Sequence, residues 1–325
     1  MTSRRAVSSS GPRPELTAAW NLAVEAELAF VLGAFARERL EVVVLKGTPL
    51  LRRLGEPLVE RTLADNDLLV RGSSLIAAER ILERLGYQST RPLSLSVRAG
   101  SGQHSMVRQT PVVRHVVDLH WAAFHAPFRG VSPELVWAHT EVSSVCQQEA
   151  RVLDRPMTLL HTAAHFVWHS MGQLRLLRTL GRAWDAWGHE LDPAELRHLA
   201  LRTGTLPSLE YSLRAAQELG LARGALRFTT LRARTVRELL PPAELLLKRP
   251  VPDYERMAVA LILVSTERAL IHALRLALPS IPEAEILAGA SGPQAVARTY
   301  LLRPFYAARR LRAYRRHLAR EVDDA

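Results

Sequence analysis

Two stretches decide the fold: Val42-Val43-Val44-Leu45-Lys46-Gly47 and Asp65-Asn66-Asp67-Leu68-Leu69-Val70. The β-branched run that begins the first stretch predicts a buried strand, and Lys46-Gly47 predicts the tight turn that ends it. Thr48 to Leu54 suits a short helix. Leu68-Leu69-Val70 predicts a second apolar strand. The region therefore predicts strand, turn, short helix and strand, in that order.

Three carboxylates stand out in and after these strands. Asp65 and Asp67 are two residues apart on an extended segment, so their side chains point to the same face. Asp118 shares one face of Val116–Trp121 with His120, and the opposite face of that strand is apolar. A lone carboxylate inside an apolar strand costs free energy unless something compensates it. Three carboxylates from two adjacent strands would hold Mg²⁺ through hard oxygen ligands and leave positions open for substrate phosphates.

A simpler interpretation of the same residues stays open. Asp65 and Asp67 would be turn residues before a strand, because Asp-x-Asp is a short and common pattern. Asp118 would pair with an arginine, and Lys46 would be an ordinary lysine at the end of a strand.

Further along the chain, the sequence predicts an α/β part followed by a helical part. Residues 1–13 are rich in Ser, Arg, Gly and Pro and are expected to be disordered. Residues 14–155 form the first domain, with helices predicted at Pro14–Leu40 and Leu75–Leu85 and strands at Leu93–Val97, Ser105–Gln109 and Val112–Trp121. We expect no further strand of similar quality. Residues 156–325 form an all-helical domain, with helices predicted at Met157–Trp168, Leu174–Trp187, Pro193–Arg202, Ser208–Leu219, Thr230–Leu239, Tyr254–Ala277 and Gln294–Leu318.

Composition excludes several classes of protein. The 325 residues are 48% hydrophobic and 23% charged, as in soluble globular proteins rather than in disordered chains or coiled coils. The longest apolar run, Met257–Val264, is far shorter than the roughly 20 residues that cross a bilayer, and the N-terminus lacks the apolar segment of a secretory signal. A single cysteine, Cys146, excludes an internal disulfide and a zinc site built from several thiolates. We therefore expect a cytoplasmic protein with no membrane partner.

The net charge of +11 would usually indicate an anionic partner such as nucleic acid. However, only Lys46 and Lys248 of the 43 basic residues are lysine, and this arginine bias is typical of GC-rich coding. RNA or DNA binding is therefore a weak expectation, and a solvated helix is the commoner explanation. The expectation of RNA or DNA binding rests on a C-terminal segment that carries Arg303, Arg309, Arg310, Arg312, Arg315, Arg316 and Arg320.

The order of these elements resembles the polymerase-β-type nucleotidyltransferase superfamily. More specifically, the chain resembles a bacterial family of uncharacterised nucleotidyltransferases over roughly Leu40 to Trp187. The residues that carry the likeness are Leu45-Lys46-Gly47, Arg61, Asp65-Asn66-Asp67-Leu68-Leu69-Val70, Gly86-Tyr87, Val117-Asp118-Leu119-His120-Trp121, Leu159-Leu160-His161 and His165. The resemblance implies an α+β fold, in which a small mixed-sheet nucleotidyltransferase domain carries an appended all-helical C-terminal domain.

The resemblance also implies roles for the three aspartates. Asp65 and Asp67 would bind metal, and Asp118 would complete a second metal site and help to deprotonate the acceptor hydroxyl. Two Mg²⁺ ions, about 3.5–4 Å apart in such sites, would clamp the α-phosphate and the leaving pyrophosphate.

The residues around the turn would bind the nucleotide. Gly47 lets backbone N–H groups approach phosphate, and the helix that follows adds a favourable dipole. Thr48, near the N-cap of that helix, replaces the Ser or Gly that usually follows this glycine in the superfamily, and it keeps a hydroxyl. Lys46 would be a point-charge partner of phosphate. Arg61 would contact phosphate or brace the aspartates through an ion pair.

Four histidines are further candidates. His161, His165 and His169 lie four residues apart on one predicted helix, but no carboxylate shares their stripe, which makes a zinc or iron site weak. In the resembling family we expect histidines here to line the cleft between the domains. His161 and His165 would then contact substrate or phosphate, although ordinary packing is an equal alternative. His120 would orient a ligand or a metal-bound water.

The sequence and the resemblance together predict a Mg²⁺-dependent nucleotidyltransferase. It would bind ATP or another NTP and transfer the nucleoside monophosphate to an acceptor hydroxyl on a small molecule, a peptide, a protein or RNA. The alternative is a catalytically inactive module with the same fold that binds a protein or nucleic-acid partner. Two departures from the superfamily pattern favour the alternative: Asn66, where an apolar residue is usual, and Thr48 in place of the usual Ser after Gly47. The intact aspartates favour the enzyme.

Overall fold

The computed structural model describes residues 14–57, 59, 62–99, 101–111, 113–124, 128, 130–169, 173–224 and 229–239, with isolated residues between 263 and 301. Residues 1–13 and Arg61 lie outside the described residues, as do most of the helices predicted at Tyr254–Ala277 and Gln294–Leu318. Two compact units divide the chain. The first comprises Met1–Thr90, His104–Trp121 and Thr140–Asp154, and the second comprises Arg91–Gln103, Ala122–His139 and Arg155–Ala325.

The described strands form one seven-stranded mixed sheet. They are β1 (Val43–Val44), β2 (Asn66–Leu69), β3 (Gln88–Ser89), β4 (Gln103–Gln109), β5 (Arg114–His120), β6 (Thr140–Val145) and β7 (Gln148–Leu153). Their spatial order is β3-β4-β5-β2-β1-β7-β6. The pairs β2–β5 and β1–β7 are parallel, whereas β1–β2, β3–β4 and β6–β7 are antiparallel.

Helices accompany the sheet and continue after it. They are α1 (Pro14–Arg37), α2 (Thr48–Arg53), α3 (Leu75–Arg84), α4 (Leu93–Arg98), α5 (Pro133–Ala138), α6 (Arg155–Trp168), α7 (Leu174–Trp187), α8 (Pro193–Thr203), α9 (Leu206–Glu218) and α10 (Leu231–Leu239). The helix predicted over Leu174–Trp187 has those bounds, and the other predicted helices in the described part agree to within a few residues. The mixed α/β fold is confirmed. The domain boundary at residue 156 stays a prediction.

Helix α1 forms part of the core of the first unit. Leu28, Val31, Leu32 and Phe35 recur at helical spacing and are buried, which explains why this segment is a helix and which face it buries. The helix contacts β7 and α3.

Helix α1 also passes a length and hydropathy test for a membrane span, with a mean hydropathy of 1.4 over its best stretch. Half of that stretch is buried inside the protein, as in the core helix of a soluble protein. It is the one such helix among the described residues.

In the second unit, α6, α7 and α9 pack on one another. Gly181 on α7 allows the close approach of the chain that follows α9, because a Cβ at this position would lie 2.0 Å from the Leu221 carbonyl oxygen. Phe166 and Tyr211 are fully buried among these helices. The apolar residues of α6 thus serve packing within this unit.

The strand predicted at Leu93–Val97 is wrong, because this segment forms helix α4. The alternation of Leu93, Leu95 and Val97 suggested a strand. In the structure Leu93 and Ser96 are buried and Val97 is exposed, a pattern with helical spacing. A serine on the buried face concealed that period.

The expectation of no good strand after Trp121 is also wrong, because β6 and β7 form a hairpin. The loop between them has two residues, Cys146 and Gln147, both with positive φ angles of 50° and 64°. Such loops usually contain Asn-Gly or a similar pair, and Cys-Gln gives no such signal. Strand β6 carries mostly polar residues at the sheet edge, so its hydrophobic pattern is also faint.

Candidate active site

Parallel pairing of β2 with β5 brings two of the predicted aspartates together. Asp67 is the register partner of Asp118, so the two side chains lie side by side on one face of the sheet. His120 lies two residues beyond Asp118 on that face, and its Nε2 is 3.0 Å from Asp67 Oδ1. One ligand atom from each of these three residues lies within 4.8 Å of the others, so the cluster could hold a metal ion. Carboxylate oxygens are the ligands that hard divalent cations prefer.

Lys46 joins the third aspartate to this cluster. Its Nζ lies 3.0 Å from Asp67 Oδ2 and 3.8 Å from Asp65 Oδ2. The Asp67 side chain is 4% exposed, against 25% for Lys46 and 35% for Asp65. Asp65 is not part of the group of three that Asp67 forms with Asp118 and His120. The ammonium is therefore the link that places Asp65 beside the other carboxylates.

The charge of Lys46 is held by its surroundings. Burial alone would lower the pKa of this lysine, but the attraction of Asp67, Asp65 and Asp118 outweighs burial and raises its pKa. Lys46 is therefore a fixed positive charge at neutral pH.

The structure gives Asp118 a serine partner rather than the arginine of the simpler interpretation. Ser105 on the neighbouring strand β4 donates its hydroxyl to Asp118 Oδ1 at 2.5 Å. Ser105 was predicted to lie on a strand but not to be a site residue. Its signal would have been a polar side chain in the predicted strand that directly precedes that of Asp118 in the sequence.

Helix α1 fixes the segment that enters β2. Asn21 Oδ1 accepts a hydrogen bond from the Leu63 N–H at 2.8 Å, and Trp20 Nε1 donates to the Leu63 carbonyl at 2.6 Å. These two contacts hold the chain just before Asp65. Neither Asn21 nor Trp20 was predicted from the sequence, because both lie more than 40 positions before Leu63.

The turn after β1 has a conformation that requires glycine. Gly47 has φ 80° and ψ −131°, a combination that residues with a Cβ rarely adopt. Gly47 is itself the N-cap residue of α2, and Thr48 is the first helical residue. The prediction that Thr48 lies near the N-cap is therefore correct to within one position.

The Thr48 side chain is 2% exposed, and its hydroxyl finds no hydrogen-bond partner in the described part of the chain. A buried hydroxyl left in this state is costly unless a ligand reaches it.

The helix stripe of histidines lies in the second unit. His161 Nε2 is 3.0 Å from the Ala123 carbonyl, and its ring meets Phe124 edge-on. His165 and His169 approach through their Nε2 atoms at 3.1 Å. The expectation that His161 and His165 line a substrate cleft stays a prediction, as do the roles of Arg61 and of the C-terminal arginines outside the described residues.

A separate cavity of about 580 Å³ lies between α1, α2 and the β6–β7 turn. Thr48 borders it, together with Arg52, Arg53 and Cys146, whereas Lys46 and the three aspartates do not. Both arginines are engaged, Arg52 with Glu25 and Arg53 with Glu141. Burial raises the pKa of Cys146 to about 11. The cavity therefore offers neither an unengaged guanidinium nor a reactive thiolate.

Comparison with known families agrees with this geometry. The family model described as an uncharacterised nucleotidyltransferase matches residues 13–220. The chain belongs to this family. The match runs from α1 to the end of α9, so it includes the sheet, the acidic cluster and the helix with His161 and His165. No curated protein and no solved structure matches the chain.

Proposed function

We propose that this nucleotidyltransferase family member is an active, Mg²⁺-dependent enzyme that moves a nucleoside monophosphate from an NTP, such as ATP, to an acceptor hydroxyl. The observation that carries the proposal is the side-by-side placement of Asp67 and Asp118, with His120 and Lys46 in contact with Asp67. Family membership supports a nucleotide as one substrate. The acceptor is a small molecule, a peptide, a protein or RNA.

The donor set fits a hard divalent cation. Asp67 and Asp118 supply carboxylate oxygens, and His120, bonded to Asp67 Oδ1, is placed to orient that carboxylate. We assign two Mg²⁺ ions to Asp65, Asp67 and Asp118. When bound, such ions neutralise the charge that develops on the α-phosphate and on the leaving pyrophosphate.

The residues at the turn would hold the triphosphate. Lys46 supplies a positive charge, and the glycine conformation at Gly47 keeps that part of the backbone open to phosphate. The Thr48 hydroxyl, buried and without a partner in the described chain, would donate to a phosphate oxygen. Arg61, His161 and His165 are assigned to phosphate or acceptor binding from the sequence alone.

Transfer exchanges one phosphorus–oxygen bond for another. The acceptor oxygen attacks the α-phosphorus, the bond to the bridging oxygen breaks, and pyrophosphate leaves with the electron pair. Asp118 accepts the proton of the acceptor hydroxyl. Because Ser105 donates to Asp118 Oδ1, we assign the proton to Oδ2.

One observation favours the alternative of an inactive binding module. Lys46 already neutralises part of the acidic cluster, so the cluster can persist in the folded protein without metal. A module that holds a protein or nucleic-acid partner would use the same arrangement without transfer. Asn66, buried between Asp65 and Asp67, is the departure from the superfamily pattern that points the same way.

Two further assignments belong to this proposal. We assign residues 156–325 to an appended all-helical domain, supported by the described helices α6 to α10. We also assign the protein to the cytoplasm, supported by the half-buried state of α1, the one membrane-span candidate of the described residues.

The test is calorimetric titration of ATP, GTP, CTP and UTP, each with and without Mg²⁺, on the parent protein, on Asp67→Asn and on Glu41→Gln. We expect the parent to bind at least one NTP in a Mg²⁺-dependent manner. Asp67→Asn should lose that binding because it removes a metal ligand. Glu41→Gln, which neutralises an exposed carboxylate paired with Arg71, is the control and should bind as the parent does.

Two results would change the assignment. If the parent binds no NTP, the binding module replaces the enzyme. If Asp67→Asn binds NTP as tightly as the parent with Mg²⁺, the nucleotide lies elsewhere. If instead the parent binds NTP and Asp67→Asn does not, labelled NTPs incubated with cell extract will identify the acceptor. The acceptor is the species that gains label in the parent reaction and not in the variant reaction.

A further inference from the structure

Lys46 stands beside the atoms that would bind metal. Its Nζ is 3.0 Å from Asp67 Oδ2, and Mg²⁺ lies about 2.0–2.1 Å from its oxygen ligands. An ion on that same oxygen would be at most about 5 Å from the ammonium. Two cations at this distance repel each other strongly in a partly buried site. The ammonium and a metal ion therefore compete for the same carboxylate.

The position of Lys46 is well fixed without metal. It contacts Asp67 and Asp65, and Asp118 adds to the attraction that holds its charge. His120 faces Asp67 from the other side of the carboxylate, on Oδ1 rather than Oδ2. The lysine is thus the internal counter-ion of the acidic cluster.

A nucleotide that arrives with its metal ion would remove this competition, because its phosphates give the ammonium another partner. The triphosphate brings new negative charge to the turn that begins at Gly47, directly after Lys46. The four-carbon stem of lysine is flexible, and this side chain is one-quarter exposed, so the ammonium can move a few ångströms. Lysine would exchange carboxylate for phosphate while the carboxylates exchange lysine for metal, and every charge would keep a partner.

We propose that Lys46 is a switch that excludes free divalent ions from the acidic cluster and yields to metal only when a triphosphate arrives to take its charge. Metal binding is then coupled to nucleotide binding. The inference rests on the proposed function, because it assigns metal and nucleotide to this site.

The experiment measures Mn²⁺ affinity in the absence of nucleotide by electron paramagnetic resonance. It compares the parent with Lys46→Met, which keeps the length of the side chain without its charge, and with Lys46→Gln, which keeps a hydrogen-bond donor for Asp67. The control is Arg84→Gln, which removes a positive charge from an exposed pair with Glu38 in the same unit. Circular dichroism selects the folded variants.

We expect both Lys46 variants to bind free Mn²⁺ about tenfold more tightly than the parent, because the competing cation is gone. The same variants should bind the Mn²⁺ complex of a non-hydrolysable NTP at least about tenfold more weakly, because the phosphate loses its ammonium partner. Arg84→Gln should change neither affinity. A variant that binds free Mn²⁺ more tightly and the Mn²⁺ nucleotide more weakly than the parent indicates a switch. A general loss of binding would weaken both.

Other outcomes are decisive. If a folded Lys46 variant binds free Mn²⁺ no more tightly than the parent, the switch is wrong, even where the parent binds the metal nucleotide and the proposed function stands. If the parent binds no metal nucleotide, the proposed function fails together with the switch. Should Lys46→Met not fold, Lys46→Gln alone gives the answer.

Discussion

Two of the buried carboxylates of the first unit, Glu27 and Asp67, lie on opposite faces of one sheet, and their surroundings differ. Glu27 of α1 meets Arg108 and Tyr87 through hydrogen bonds, and His115 lies 3.8 Å away. Arg108 donates from two nitrogens and lies 5.3 Å from the centre of the Phe30 ring. The two faces follow from parity, because His115 and Asp118 are an odd number of residues apart on β5.

Asp67 has a different balance of charge. One ammonium, that of Lys46, serves Asp67 and Asp65, and Asp118 lies alongside. The Glu27 cluster therefore has one carboxylate and a dedicated guanidinium, whereas the Asp67 cluster has more carboxylates than cations. A matched cluster fixes a helix to a sheet, and a cluster with excess negative charge can receive a cation.

The largest effect that we expect concerns stability. Glu27→Ala should lower the free energy of unfolding by about 3–5 kcal/mol, because it leaves Arg108 without its buried partner. Urea denaturation followed by circular dichroism measures it. Glu38→Ala, which removes an exposed partner of Arg84, is the control and should cost at most about 1 kcal/mol. Equal costs for the two variants would show that the Glu27 network does not fix α1.

A smaller effect should follow from removal of the Tyr87 hydroxyl. Tyr87→Phe deletes a hydrogen bond to a buried carboxylate and should cost about 1.5–3 kcal/mol near pH 7. Burial and the hydrogen bond to Glu27 raise the pKa of Tyr87. The native state then keeps the phenolic proton above about pH 10, where the unfolded chain releases it.

The pH dependence of stability checks this account. The contribution of Tyr87 is fully present below about pH 10 and is lost as the pH rises beyond it. Urea midpoints at pH 7, 9, 10 and 11 should therefore fall more steeply for the parent than for Tyr87→Phe above pH 10. Parallel curves would contradict a raised pKa for this residue.

Only one of the two clusters could be predicted from the sequence. Asp118 and His120 interrupt an apolar strand, and Asp65 and Asp67 repeat at strand period, so local pattern indicated a shared face. Three of the residues around the other carboxylate come from α1, β4 and β5, and the fourth from the turn before β3. These residues, Glu27, Arg108, His115 and Tyr87, interrupt no recognisable pattern. A buried ion network of this kind depends on tertiary packing, which a hydrophobic period does not encode.

The same limit explains what was missed around the candidate active site and at the edge of the sheet. Lys46 was predicted from its place before a glycine, but its contact with Asp67 depends on antiparallel pairing of β1 with β2. Ser105 depends on the neighbouring strand β4. The β6–β7 hairpin was missed because Cys146 and Gln147 adopt positive φ angles that their residue types rarely take.

The smallest expected effect on stability comes from Thr48. It tests the difference between polar groups that are bonded within the protein and groups that are available to a ligand. Thr48→Val replaces a buried hydroxyl that has no partner in the described chain with a methyl group of the same shape. The free energy of unfolding should therefore change by no more than about 0.5 kcal/mol, or rise slightly. Affinity for a Mg²⁺ nucleotide should fall about tenfold or more, because a hydrogen bond to a charged phosphate is lost.

Thr203→Val is the matched control for this last prediction. The Thr203 hydroxyl is also buried, but it donates to the Leu199 carbonyl at 2.9 Å and lies 2.8 Å from the Thr205 hydroxyl. Its loss should cost about 1–3 kcal/mol and leave nucleotide affinity unchanged, because it breaks contacts within the second unit. Urea denaturation and calorimetric titration of both variants decide the matter. If Thr48→Val costs as much stability as Thr203→Val, its hydroxyl already has a partner in the folded protein and is not held for a phosphate.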